Sequence, residues 1–286
     1  MDANQAPQGA DALLPKEMAE KAERIGADKT RLPVLSLLTL AVLAGAFIAF
    51  GSLFSTIAIS ATDNHLTFGL VRVVAGLTFS LGLILVVVGG AELFTGNNLM
   101  VMAWAGGKIS LGGMLRAWAL VYIGNFLGAV ATAVMVFLAG VHGNGDSAVG
   151  AAALNIAEAK AALPFFQALM RGVLGNVLVC LAVWLCYSAH STTDRILSIV
   201  PPVTAFVAAG FEHSVANMFI LPYGLLIKEL AEPAFWAAIQ QSPASYDALG
   251  WGAFFSNLAP VTIGNVIGGG MFVGAVYWFI YLRSRT

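Results

Sequence analysis

The chain has 286 residues, 59% hydrophobic and only 10% charged, with a formal net charge of -1. Soluble domains carry roughly 25% charged residues, so a mean hydropathy of +0.84 leaves too little polar surface for a water-soluble fold. The same composition makes no case for a nucleic-acid partner, and the lipid bilayer becomes the expected surroundings.

Residues 1–31 are polar and lack the apolar core of a secretory signal, so no cleaved peptide is expected. Within them Leu14, Met18, Ala22 and Ile25 recur at helical spacing, and Lys16, Glu17, Glu20, Lys21, Glu23 and Arg24 fill the other face. Pro15 suits a first turn and Gly26 an end. The pattern predicts an amphipathic cytoplasmic helix that either lies solvated on the membrane surface or gates.

Apolar runs then begin near Leu32, Phe68, Met114, Leu163, Ile196 and Leu258. Each is long enough for a hydrocarbon core about 30 Å thick, which predicts an all-α membrane domain of six spans over 32–283 and a short tail at 284–286. Pro33 opens the first span, and Asp63, Asn64 and His65 mark a polar connection to the second. The second span is interrupted after Glu92 by Leu93-Phe94-Thr95-Gly96-Asn97-Asn98, a run of weak helix formers, glycine and amides. The third carries Gly124-Asn125, and a long Gly/Ala-rich connection through His142 leads to Lys160.

Pro164 opens the fourth span, which holds Asn176 and both cysteines, Cys180 and Cys186. One apolar run builds neither a disulfide framework nor a metal site, so the cysteines read as packing residues, and no metal or other cofactor is implied. The fifth span is read as starting at Pro201-Pro202 and is broken by Glu212-His213-Ser214; the sixth contains Gly264-Asn265 and Gly268-Gly269-Gly270. Six spans put both termini on one side. Lys16, Lys21, Arg24, Lys29, Arg31, Lys108, Arg116, Arg195, Arg283 and Arg285 fall there, against Arg72, Lys160, Arg171 and Lys228 opposite. That imbalance predicts cytoplasmic termini.

The interruptions are copies of one pattern. Gly90-Ala91-Glu92 with Asn97 matches Gly210-Phe211-Glu212 with Asn217, and Gly124-Asn125 matches Gly264-Asn265 in the corresponding place of each half. Three spans per copy is odd, so the halves, about 32–140 and 163–283, are predicted to be inverted 3+3 repeats whose broken second and fifth helices meet at mid-membrane. Irregular backbone at that depth survives only in protein or along a wet cavity.

His213 is the main candidate in that passage, because ionisable residues inside a membrane are functional by default. A neutral imidazole donates through one nitrogen and accepts through the other. Thr95 offers a second donor, and Asn176 and Asn265 are placed to orient His213 or Glu212. Glu92 and Glu212 are expected to accept hydrogen bonds from free backbone N–H groups or asparagines, as braces. Phe79, Leu83, Leu93 and Phe206 lie close enough to the breaks to form apolar constrictions that strip water from a solute.

Around Gly89-Gly90-Ala91-Glu92-Leu93-Phe94-Thr95-Gly96-Asn97 and Gly210-Phe211-Glu212-His213-Ser214-Val215-Ala216-Asn217-Met218 the chain resembles the formate/nitrite transporter family. Gly175-Asn176 through Trp184 and Pro260 through Asn265 match it too, and the likeness covers nearly the whole length. The resemblance implies an aquaporin-like six-helix fold assembled as a homopentamer in the bacterial inner membrane, each protomer having its own pore. It assigns gating and binding to Leu93, Phe94 and Thr95, the central histidine to His213 beside Glu212 and Ser214, and support to Asn176 and Asn265. Lys29 and Lys160 resemble basic residues near the two entrances.

Leu13-Leu14-Pro15 followed by Met18-Ala19 looks like the leader of the bacterial formate channels, whose members close at low pH. Formate is therefore the favoured solute. Thr95-Gly96-Asn97-Asn98 departs from the serine that follows the threonine in some of those channels, which keeps nitrite, hydrosulfide, acetate and other small weak-acid anions open. Neutral-solute passage is disfavoured because neither break contains the Asn-Pro-Ala box of water and glycerol channels. Catalysis is disfavoured because Ser214 beside His213 has no glycine-flanked serine motif.

Overall fold

The computed structural model describes residues 12–60 and 67–283, among which all regular structure is helical. Asp63, Asn64, His65, the first eleven residues and the tail at 284–286 lie outside the described residues.

Helix α1 (Pro15–Thr30) starts with proline at its first position, and the Leu14 N–H donates to the Glu17 carboxylate at 2.7 Å. It is docked on protein: Met18, Ala19 and Ala22 pack with Met102, Trp184 and Leu282. Of the two readings of the leader, a solvated surface helix and a gate, the docking does not fit the first. Leu14 stays 67% exposed, because the docked stripe is centred on small residues and Gly26 approaches Met100 and Ala103.

The chain continues through α2 (Val34–Ile59) and α3 (Phe68–Gly89), then short α4 (Phe94–Asn97), a 3-10 turn (Asn98–Met100) and α5 (Val101–Ala105). Next come α6 (Leu111–Leu138), α7 (Ala148–Ala161), α8 (Phe165–Ser188), α9 (Thr192–Ala208) and α10 (Ser214–Leu230). After α11 (Pro233–Ile239), α12 (Trp251–Val266) passes through a π-helical segment (Ile267–Ala275) into α13 (Val276–Tyr281). Among the described residues five runs are long and apolar enough to cross a membrane: α2, α3, α6, α8 and 243–281. A sixth is added if α10 and α11, bent by 108°, count as one.

Two elements differ from the sequence reading. The Gly/Ala-rich connection contains α7, because alanine is the strongest helix former and 151–161 is dense in it. Helix α9 begins at Thr192, with Pro201 and Pro202 inside it. Its start is set by a capping box: the Asp194 N–H donates to Ser191 Oγ at 3.1 Å, and the Ser191 N–H to the Asp194 carboxylate at 2.9 Å.

Close helix crossings repeat in both halves. Gly45 of α2 faces the Asn125 and Ala129 backbone, while Gly124 and Gly128 of α6 face the backbone of Leu38 and Val42. Gly172 of α8 faces Val261 and Gly264, while Gly264 and Gly268 face Leu169 and Val173. With lipid outside, such small-residue contacts are what let helices associate.

Candidate functional site

Each break begins with a glycine in the left-handed region, Gly90 at φ 80° and Gly210 at φ 73°, where a side chain would be strained. Helix α3 therefore stops at Gly89, α9 stops at Ala208 two residues before Gly210, and backbone groups are freed inside the protein. One asparagine from a neighbouring helix takes them up in each half. Asn125 accepts from the Phe94 N–H at 2.9 Å and donates to the carbonyls of Glu92 at 2.9 Å and Ala41 at 2.7 Å. Asn265 accepts from the Ser214 N–H at 2.9 Å and donates to the carbonyls of Glu212 at 3.0 Å and Gly172 at 2.8 Å. The glutamate N–H groups then donate to Leu40 at 3.2 Å and to Arg171 at 3.1 Å.

The glutamate side chains are braced as expected by asparagines, Asn97 donating to Glu92 at 2.8 Å and Asn217 to Glu212 at 2.6 Å. Each also holds a lysine: Lys29 lies 2.9 Å from Glu92, and Lys160 lies 2.7 Å from Glu212. The lysines read as entrance residues are thus tied to the breaks, and each also lines a cavity. Lys29 is on α1 and Lys160 on α7, so the docked leader and the helix missed in the sequence play matching parts.

His213 caps α10, its Nδ1 accepting from the Ala216 N–H at 3.1 Å. With Nδ1 engaged as an acceptor, the neutral ring carries its proton on Nε2. Nε2 lies 2.8 Å from Thr95 Oγ1, so the tips of the two breaks touch. His213 also lines a cavity of about 330 Å³ together with Phe79 and Phe206. A second cavity of about 210 Å³ is lined by Leu83 and Leu93 with Lys29 and Glu92. The Phe79 and Phe206 rings are 5.8 Å apart, and Phe206 meets the His213 ring at 6.1 Å.

Other expected residues stand behind this contact. Phe94 lines neither of these cavities; its ring packs edge-on against Trp118 and Tyr122 of α6 at 6.1 and 4.9 Å, because its backbone is fixed by Asn125. Asn176 hydrogen-bonds neither His213 nor Glu212. Its amide donates to Asn98 Oδ1 at 2.8 Å, the Asn265 carbonyl at 2.6 Å and the Thr95 carbonyl at 3.3 Å, holding the first break against the last helix. Ser214 is fully buried and engages Asn265 through its backbone.

Sequence reasoning gave Asn125 no site role, though the repeated Gly-Asn pair signalled it. It also missed Asn257, which accepts from Asn217 at 2.7 Å and donates to the Lys160 carbonyl at 2.9 Å.

A family model described as Formate/nitrite transporter matches residues 16–279. Formate channel FocA of Escherichia coli (strain K12) is 43% identical over 276 residues, covering 96% of this chain and 96% of the relative. Formate channel FocA of Haemophilus influenzae is 38% identical over 265 residues, covering 92% and 93%. A solved pentameric formate channel with formate bound aligns with a TM-score of 0.83 at 40% identity, over 87% of this chain and 98% of that one. With a match along nearly its whole length, the chain belongs to the formate/nitrite transporter family.

Proposed function

We propose that this chain forms a homopentameric passage for formate and similar small weak-acid anions in the bacterial inner membrane, with both termini in the cytoplasm. Each protomer spans the membrane six times as an inverted 3+3 repeat of aquaporin-like fold. Its second and fifth spans, α3 to α5 and α9 to α10, are broken at mid-membrane. It carries solute and performs no catalysis. Support comes from family membership, from the lysine and arginine imbalance, and from relatives that are themselves formate channels.

The observation that carries the reading is the Thr95–His213 contact, with His213 on the wall of one cavity and Leu93 and Gly96, which flank Thr95 in the chain, on the wall of the other. The imidazole donates to Thr95 Oγ1, which leaves the threonine hydroxyl proton to be offered to an anion. Formate arriving between Phe79 and Phe206, or between Leu83 and Leu93, loses water and gains this donor. A carboxylate oxygen also takes the Nε2 proton as a hydrogen bond when Thr95 turns away. His213 acts as a donor and not as an acid, since protonating Nδ1 would break the Ala216 bond that caps α10. Glu92 and Glu212 remain neutralised by Lys29 and Lys160, so the breaks present no free carboxylate to repel the anion.

Purified protein in liposomes is expected to release loaded formate faster than protein-free vesicles, and faster than it releases glycerol. Release of glycerol without formate would overturn the reading in favour of a neutral-solute pore.

A further inference from the structure

The two braces match, but the cavities they face differ in charge. Among the described residues, the larger one is lined by the charged groups of Arg72, Lys160, Arg171 and Glu212, three cations against one carboxylate, a net +2. The smaller one has Lys29 and Glu92, a net charge of 0. The excess comes from Arg72 and Arg171, since the Lys–Glu pairs cancel in both halves.

These arginines are engaged differently. Arg72 donates to the carbonyls of Val207 at 2.5 Å and Ala208 at 3.1 Å, closing the end of α9. Arg171 is exposed, and among the described residues its guanidinium makes no hydrogen bond or ion pair. Only its backbone is used, the carbonyl accepting from Glu212 just as Leu40 accepts from Glu92. The repeat therefore demands a backbone carbonyl at this place, and leucine supplies it in the other half. An arginine at the cavity wall is surplus to the brace.

We propose that Arg171, with Arg72 beside it, forms a recruiting site for small carboxylates at the mouth of the larger cavity, a role that rests on the formate-passage reading. A guanidinium presents paired N–H donors that match a carboxylate edge to edge. Low-dielectric walls focus the field of the surplus charge and raise the local anion concentration. The larger mouth therefore fills at a lower formate concentration than the smaller, and the difference fades as salt shortens the screening length to about 3 Å at 1 M.

The test is planar-bilayer recording of the full pentamer, with the inserted face marked by a tag on the amino terminus, and formate supplied to one side at a time. At low salt, half-saturation is expected at a lower formate concentration from the Arg171 side. Arg171→Gln raises that value several-fold, Arg171→Lys raises it less, and high salt removes the differences. Equal half-saturation for wild type and Arg171→Gln at low salt overturns the inference while leaving the passage reading standing. A wild type that conducts no formate from either side overturns the passage reading itself. Because Arg171 has no side-chain partner among the described residues, its variants are expected to keep the wild-type thermal unfolding temperature.

Discussion

The break around Glu92 and the break around Glu212 use the same parts in the same places: a left-handed glycine, a glutamate, an asparagine five residues on, a lysine from a docked helix and a second asparagine from a crossing helix. They differ at the tip. The first presents Thr95 and the second presents His213, and these two meet. The likeness is structural, since it satisfies backbone that a membrane interior cannot. The difference is where the proposed passage places solute chemistry, and the unequal arginines add a second difference between the cavities.

The largest expected effect breaks the likeness at the ion pairs. Removing one partner of a buried pair costs about 3–5 kcal/mol, because the other charge is stranded. Glu212→Ala is expected to approach that loss in thermal unfolding. Glu92→Ala costs less, because Lys29 and Glu92 side chains are 23% and 10% exposed against 17% and 3% for Lys160 and Glu212. Equal losses would mean that solvent access does not distinguish the braces.

Next come the crossing asparagines. Asn125→Ala and Asn265→Ala each orphan backbone groups at roughly 1–3 kcal/mol per group. Similar falls in unfolding temperature for the two variants are expected, and a large inequality would contradict the repeat. Thr95→Val acts at the tip alone: the side chain keeps its volume but loses the hydroxyl. Formate flux is expected to fall about tenfold, the worth of one hydrogen bond of roughly 1.4 kcal/mol, with Thr95→Ser restoring much of it.

The smallest effect lies outside the passage. His142, after α6, stacks on Phe137 at 4.9 Å, and burial holds its imidazole below the ordinary value against the raising influence of Glu232. A folded value below the unfolded one means that the unfolded chain binds the proton more readily. The contribution of His142 to stability is therefore complete above the ordinary imidazole range and lost as pH falls through the folded value. Unfolding temperatures of wild type and His142→Phe should converge at neutral pH, with the wild type losing more on acidification.

Much of this was legible from residue spacing. The Gly-x-Glu pattern with its asparagine located both breaks, and His213 stood out as an ionisable residue in an apolar run. What was not legible depends on pairing across the chain. Lys29 and Glu92 are 63 positions apart, and Lys160 and Glu212 are 52 apart, so no periodicity links them. Phe94 was read with its neighbours in the break, whereas the Asn125 contact turns it into α6. Helix α7 was hidden because its glycine- and alanine-rich surroundings resemble a linker, and the prolines of α9 read as a start when the capping box ten residues earlier governs it.

In the proposed passage His213 serves the solute through Nε2–H while Nδ1 only caps a helix. Asparagine separates these tasks, since its side-chain oxygen is a good cap but no donor remains where Nε2–H stood. Formate and chloride currents through wild type and His213→Asn are therefore the most direct measurement. His213→Asn is expected to give an intact pentamer with wild-type unfolding temperature and a sharp loss of formate preference over chloride. Unchanged preference in a folded His213→Asn pentamer would contradict it.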